Sequence, residues 1–191
     1  LAVLQGRAPD NANMKNAWSI WGGCSLLLLS VACTPALNWR EVRLESADAS
    51  LLMPCKPDQA SRPIALQAKG AGVSANLQLL GCEASEMQFT IGQINLPPDL
   101  TATDAIRAWQ QASLAPLNAA PSDAKDDAFE LKGALSAPQP VRRSLKTATH
   151  QVQWVWWARG HTVFQVAVYG GTKTKAFDDT AEVYLSGIKL P

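Results

Sequence analysis

Gln151-Val152-Gln153-Trp154-Val155-Trp156-Trp157, the link Ala158-Arg159-Gly160-His161, and Thr162-Val163-Phe164-Gln165-Val166-Ala167-Val168-Tyr169 decide the fold. Both runs are rich in the β-branched and aromatic residues that suit a pleated, packed surface. A glycine in the link between them supplies a turn, so the pair predicts an antiparallel hairpin. Bulky residues stand on alternate and on intervening positions, which means that at least part of the hairpin needs cover on both faces. Trp154 and Trp156 then share one face against a helix, and Trp157 lies on the other.

Upstream, Val73, Ala75, Leu77 and Leu79 alternate with Ser74, Asn76 and Gln78, the clearest amphipathic strand in the chain. Met87-Gln88-Phe89-Thr90-Ile91-Gly92-Gln93-Ile94 follows after a turn at 83–86, and the two are expected to pair as a second hairpin. Earlier strands are expected at Trp39 to Leu44, at Ala49 to Cys55 and at Pro63 to Gln67, with Lys56 to Arg62 as a polar turn. Pro54 and Pro57 stop the second of these, because proline cannot donate to a ladder. Thr101 or Thr103 is placed to cap a helix through Leu114, with Ala102, Ala105, Ile106, Trp109 and Ser113 on one stripe, and Pro116 stops it. A solvated loop is expected over Asn118 to Asp127 and a strand over Phe129 to Leu135. Lys175 to Leu185 reads as a closing helix with Phe177, Ala181, Tyr184 and Leu185 inward, ended by Gly187. Strands, helix, strands, helix is the order of an α+β fold: an antiparallel β-sheet of about six strands packed with two helices, after an N-terminal signal segment.

That order has a counterpart. A strand running into Pro54, Lys56 and Pro57, a long hairpin, one mid-chain helix, a tryptophan-rich hairpin and a short last helix resemble the PsbP-like α/β/α sandwich of small envelope proteins over Glu41 to Leu190. The resemblance implies an adaptor, assembly or accessory role without catalysis, and carries no functional residues with it.

The amino-terminal part has a different character. Met14-Lys15-Asn16 precedes an uncharged stretch from Ala17 to Ala32 that contains Leu26-Leu27-Leu28-Leu29 and meets Cys33. A short positive start, an apolar core and small residues before a cut are the parts of an export signal. With a cysteine after the cut, this one resembles the bacterial lipoprotein signal, which implies a diacylglycerol in thioether linkage on Cys33. Ala32 fits that pattern, Ser30 and Val31 are permissive, and Leu29 lies one place early. The competing reading is an uncleaved anchor, since Ala17 to Trp39 is uncharged and long enough to span a bilayer, against which stand Gly22-Gly23, Pro35 and Asn38. The expected organisation is therefore an upstream mis-start over 1–13, a signal over 14–32, a tether over 33–38 and one α+β domain over 39–191. By resemblance to the sorting rule of enteric lipoproteins, Thr34 after the cysteine favours the outer membrane over the inner.

Cys24 lies inside the signal, so Cys55 and Cys82 are the cysteines left to the domain. In an oxidising compartment their simplest state is a disulfide, with buried thiols or a redox or metal pair as the alternatives. Acidic and basic residues balance after Cys33, which gives no nucleic-acid footprint. There is no Gly-x-Ser-x-Gly, no His-Glu-x-x-His and no phosphate-binding glycine loop, so neither cofactor nor metal is expected and no catalytic residue is assigned. The best catalytic candidates are His150 and His161, at the ends of a hairpin strand, which approach each other if that hairpin brings them together; they define the alternative reading, a small periplasmic hydrolase or metal-handling protein. Trp157 beside Arg159 is the candidate interaction surface, since aromatic residues and arginine are enriched at interfaces. The leading expectation is an envelope lipoprotein that holds a non-catalytic binding or assembly module at a membrane, its partners the bilayer and an envelope protein.

Overall fold

In the computed structural model, residues 37–44, 48–68 and 71–191 are described, and the proposed signal, Cys33 and the 1–13 segment lie outside them. Among the described residues, nine strands and two α-helices follow one another: β1 (Arg40–Leu44), β2 (Ala49–Met53), β3 (Asp58–Ala68), β4 (Ala71–Ala84), β5 (Met87–Asn95), α1 (Ala102–Leu114), β6 (Lys125–Ala128), β7 (Val141–Lys146), β8 (His150–Arg159), β9 (Thr162–Gly171) and α2 (Phe177–Ser186). Seven strands make one antiparallel sheet in the order β3-β4-β5-β9-β8-β7-β6, and β1 and β2 form a separate two-stranded sheet. The fold is α+β.

The tryptophan hairpin is β8–β9, paired from His150↔Gly171 to Arg159↔Thr162 and set in the interior of the sheet between β5 and β7. Successive side chains of a strand point to opposite faces, so the two faces of β8 build two cores. Trp154, Trp156, Val163 and Ala167 join Ala105, Ile106 and Trp109 of α1 on one side. Trp157, Phe164, Val166 and Val168 join Phe177, Ala181, Tyr184 and Leu185 of α2 on the other, together with Leu51 and Met53 of β2. All three tryptophans of β8 are fully buried. Trp157 stacks on its cross-strand partner Phe164 at 5.0 Å, and Trp154 on Trp156 at 5.7 Å.

Each helix seats an aromatic ring over a strand glycine. A Cβ on Gly92 of β5 would stand 2.9 Å from the ring of Trp109 in α1, and one on Gly170 of β9 would stand 2.8 Å from the ring of Phe177 in α2. The missing side chains let both helices approach the sheet closely. Thr101 caps α1: its Oγ1 accepts from the Asp104 amide at 3.1 Å and donates to the Asp104 carboxylate at 2.7 Å. In α2 the expected start at Lys175 moves to Phe177, because Ala176 turns the chain with a φ of 55°. The β1–β2 sheet is tied to the C-terminal segment by paired hydrogen bonds between Ser50 and Lys189, both 2.9 Å.

Three local expectations fail, the first two for one reason. Lys56 to Arg62 is not a turn, since β3 runs from Asp58; Asn118 to Asp127 is not all loop, since β6 starts at Lys125; and Phe129 to Leu135 is not a strand. β3 and β6 are the two edges of the sheet, where long stretches are exposed and apolar alternation is weak. Backbone pairing and polar contacts hold β6: the Arg143 guanidinium donates to both carboxylate oxygens of Asp126, at 2.6 and 2.7 Å. That donation is the chief cause holding the Asp126 carboxyl below its ordinary range. Phe129 and Leu131 instead pack on the α2-side core, while the Leu135 amide donates to the Ala158 carbonyl at 2.8 Å.

Candidate functional site

Cys55, in the link between β2 and β3, and Cys82 of β4 form a disulfide with a Cα–Cα distance of 5.9 Å. It fastens the link to the sheet beside the α2-side core. The proposed lipid site, Cys33, lies outside the described residues.

The two histidines do not meet. His150 opens β8 and His161 follows its far end, so the length of the strand, about 30 Å, separates them. Both are exposed, and the His150 Nδ1 lies 2.8 Å from the Thr149 hydroxyl. The expectation that the hairpin brings them together is corrected by its register: they sit at opposite ends of the same ladder. Among the described residues no group of three or more His, Cys, Asp or Glu side chains is placed to hold a metal ion.

The proposed interaction surface is also corrected. Trp157 has no exposed area, because its position in β8 faces α2, and it cannot touch a partner. Arg159 is half-buried at the end of the strand, with one Nη atom enclosed and without a hydrogen-bond partner among the described residues.

The structure instead shows a cleft of about 490 Å³ on the α1 side of the sheet. The size is that of small-molecule sites. Its floor crosses four adjacent strands, with Arg62 from β3, Leu77 and Leu79 from β4, Thr90 from β5, and Gln165 and Tyr169 from β9. Its wall is the C-terminal half of α1 and the turn after it, through Trp109, Ala112, Pro116 and Leu117. The Trp109 ring, seated over Gly92, forms the edge of the cleft nearest the helix. Most of the lining is apolar, with a few polar groups at fixed places.

Three of those polar groups, Gln165, Ser113 and Tyr169, are held by the fold. The Gln165 amide donates to Ser113 Oγ at 2.8 Å, and that hydroxyl donates to the Trp109 carbonyl at 2.9 Å, which locks helix to floor. The Tyr169 hydroxyl accepts from the Trp154 indole at 3.1 Å. Burial is the main cause that raises the Tyr169 pKa, and the Trp154 bond partly opposes it, so the phenol stays protonated near neutral pH. Arg62 is exposed, and its guanidinium takes part in no ion pair with a described residue.

A second cleft, about 460 Å³, lies on the opposite side of the sheet beneath Val42, Arg43 and Leu44 of β1. Its floor carries Gln78 and Gln93, whose amides hydrogen-bond to one another. Arg43 and Gln59 are the other polar side chains of its described lining.

Leu77, Leu79, Trp109 and Ser113 stood out in the sequence as inward faces of a strand and a helix, but nothing marked them as a site. Arg62 falls in the stretch read as a polar turn, and Tyr169 ends a run read as packed strand. The signal is the alternation Arg62, Ile64, Leu66 against Ser61, Pro63, Ala65, which puts Arg62 on the same face as the apolar residues. Among the described residues, no helix is long and apolar enough to cross a membrane.

No family model and no curated protein matches the chain. Among solved structures it is similar to the solution structure of cyanobacterial PsbP (CyanoP) from Synechocystis sp. PCC 6803, with 10% sequence identity and a TM-score of 0.48 over 86% of this chain and 99% of that one.

Proposed function

We propose that this chain is an envelope lipoprotein: exported, anchored through a lipid on Cys33, and carrying a non-catalytic binding module. The observation that carries the reading is the Cys55–Cys82 disulfide. Structural disulfides persist in oxidising compartments, which agrees with an apolar segment that meets a cysteine at Ala32-Cys33. The binding element is the α1-side cleft: an apolar trough with fixed polar groups is suited to hold a molecule, and no nucleophile–base pair is among its described lining residues. The histidine-based alternative rests on a convergence that the register of β8–β9 does not provide. The outer membrane is the proposed destination, from Thr34 after the cysteine.

Mass spectrometry of the membrane-extracted protein tests this reading, with a Cys33→Ser variant alongside, under reducing and non-reducing conditions. A chain that begins at acylated Cys33 and gains the mass of two hydrogen atoms on reduction is the expected result, with Cys33→Ser unprocessed. An intact chain retaining Met14 to Ala32 means a spanning anchor, and free thiols on an unprocessed chain overturn export.

A further inference from the structure

We infer that the α1-side cleft is a site for a small amphiphilic monoanion, an apolar body with a single carboxylate-type head, recognised by Arg62. This deepens the proposed binding role and rests on it. The body is specified by the lining: Leu77 and Leu79 below, and Trp109, Ala112 and Leu117 at the side, offer apolar contact along the trough. The head is specified by charge. Among the described residues, Arg62 is the only ionised group that lines the cleft, no carboxylate lines it, and Arg62 is paired to no acid. Asp58 and Glu83 stand further along β3 and β4 and do not reach the lining. An arginine fork matches a carboxylate with two parallel hydrogen bonds.

The remaining polar groups fit the same ligand. Tyr169 accepts from Trp154 and keeps its own O–H proton available to donate, since burial holds the phenol neutral. Gln165 spends its recorded donor on Ser113 and so stiffens the wall. One formal positive charge, with no acid among the described lining residues, discriminates against cations and is neutralised by a singly charged head.

The test is titration calorimetry of octanoate, with octanamide as its uncharged counterpart, into the full chain carried in lipid nanodiscs, with empty nanodiscs as the blank. Saturable one-to-one binding of octanoate is expected, about tenfold tighter than octanamide. Arg62→Gln is expected to remove that preference and leave the amide unaffected. Ala112→Trp, an exposed helix position at the cleft wall, is expected to abolish both by filling the trough, while Arg43→Gln at the second cleft changes neither. The inference is overturned if octanoate does not saturate the chain, if the amide binds as tightly as the acid, or if Ala112→Trp binds octanoate undiminished. An acylated Cys33 with no octanoate binding refutes the ligand and leaves the anchor standing. Octanoate binding by a chain unprocessed at Cys33 does the reverse.

Discussion

Tyr184 of α2 makes the stability of this protein depend on alkaline pH in a way that can be worked out in advance. Its side chain is fully buried, its ring meets Phe89 edge-on at 5.1 Å, and its hydroxyl donates to the Thr90 carbonyl at 2.8 Å, with Met53 Sδ at 3.5 Å. Burial pushes its pKa well above the ordinary value of 10.0. The folded state therefore keeps a proton that the unfolded state gives up, and the contribution of this group is complete below pH 10 and declines above it. The decline has a limiting slope of about 1.4 kcal/mol per pH unit until the raised folded value is reached. Tyr184→Phe removes both the hydrogen bond and the titration. Near pH 8 the variant is expected to be less stable by about 1.5 kcal/mol, the worth of one buried hydrogen bond and the acceptor it leaves. By about pH 11 the wild type has lost about 1.4 kcal/mol through this residue and the variant has not, so the difference nearly closes. Urea unfolding of both proteins across that range, followed by tryptophan emission, reads the difference directly, since all other ionisations, that of Tyr169 included, are common to the pair. A difference that stays constant with pH would refute the reasoning, because Tyr184 would then ionise in the folded protein as it does in the unfolded chain.

Opening the disulfide, by Cys55→Ser with Cys82→Ser, is expected to lower stability by about 3.5 kcal/mol from chain entropy for a sequence separation of 27; an unchanged urea midpoint would show that the crosslink constrains nothing. Gly92→Ala is expected to cost about 1–3 kcal/mol, because its Cβ would meet the Trp109 ring at 2.9 Å and Leu77 at 3.1 Å. In a Trp109→Leu background the same change should cost much less, and equal penalties in a double-mutant cycle would sink the claim that the glycine serves the ring. Pro63 lies within the long edge strand β3, whose ladder to β4 runs unbroken through it, so its missing N–H belongs to the outer edge. Pro63→Thr is expected to increase concentration-dependent association in sedimentation velocity by freeing a donor on that edge, and identical profiles would show that other groups protect it.

Much of the architecture was written locally. Trp154, Trp156 and Trp157 announce a strand covered on both faces, and the structure divides them between the two cores as the alternation requires. Thr101 marks a helix start through its own side chain, and Phe177, Ala181, Tyr184 and Leu185 mark an inward face by spacing. Such features are legible because burial imposes a period on the sequence. Edge strands β3 and β6 escape this, since exposure relaxes the period and only the partner strand fixes the pairing.

The sequence by itself determined the class of fold, the two helices and their inward faces, and the central hairpin, because each depends on neighbours within a few residues along the chain. The tertiary structure alone decided which residues share a site. It parted His150 from His161 by the length of a strand and enclosed Trp157 beneath α2. It also brought Arg62, Leu79, Tyr169 and Trp109, more than 100 positions apart at the extremes, to one cleft. Strand order and register set these distances, and they follow from how the whole sheet assembles, which no local pattern encodes.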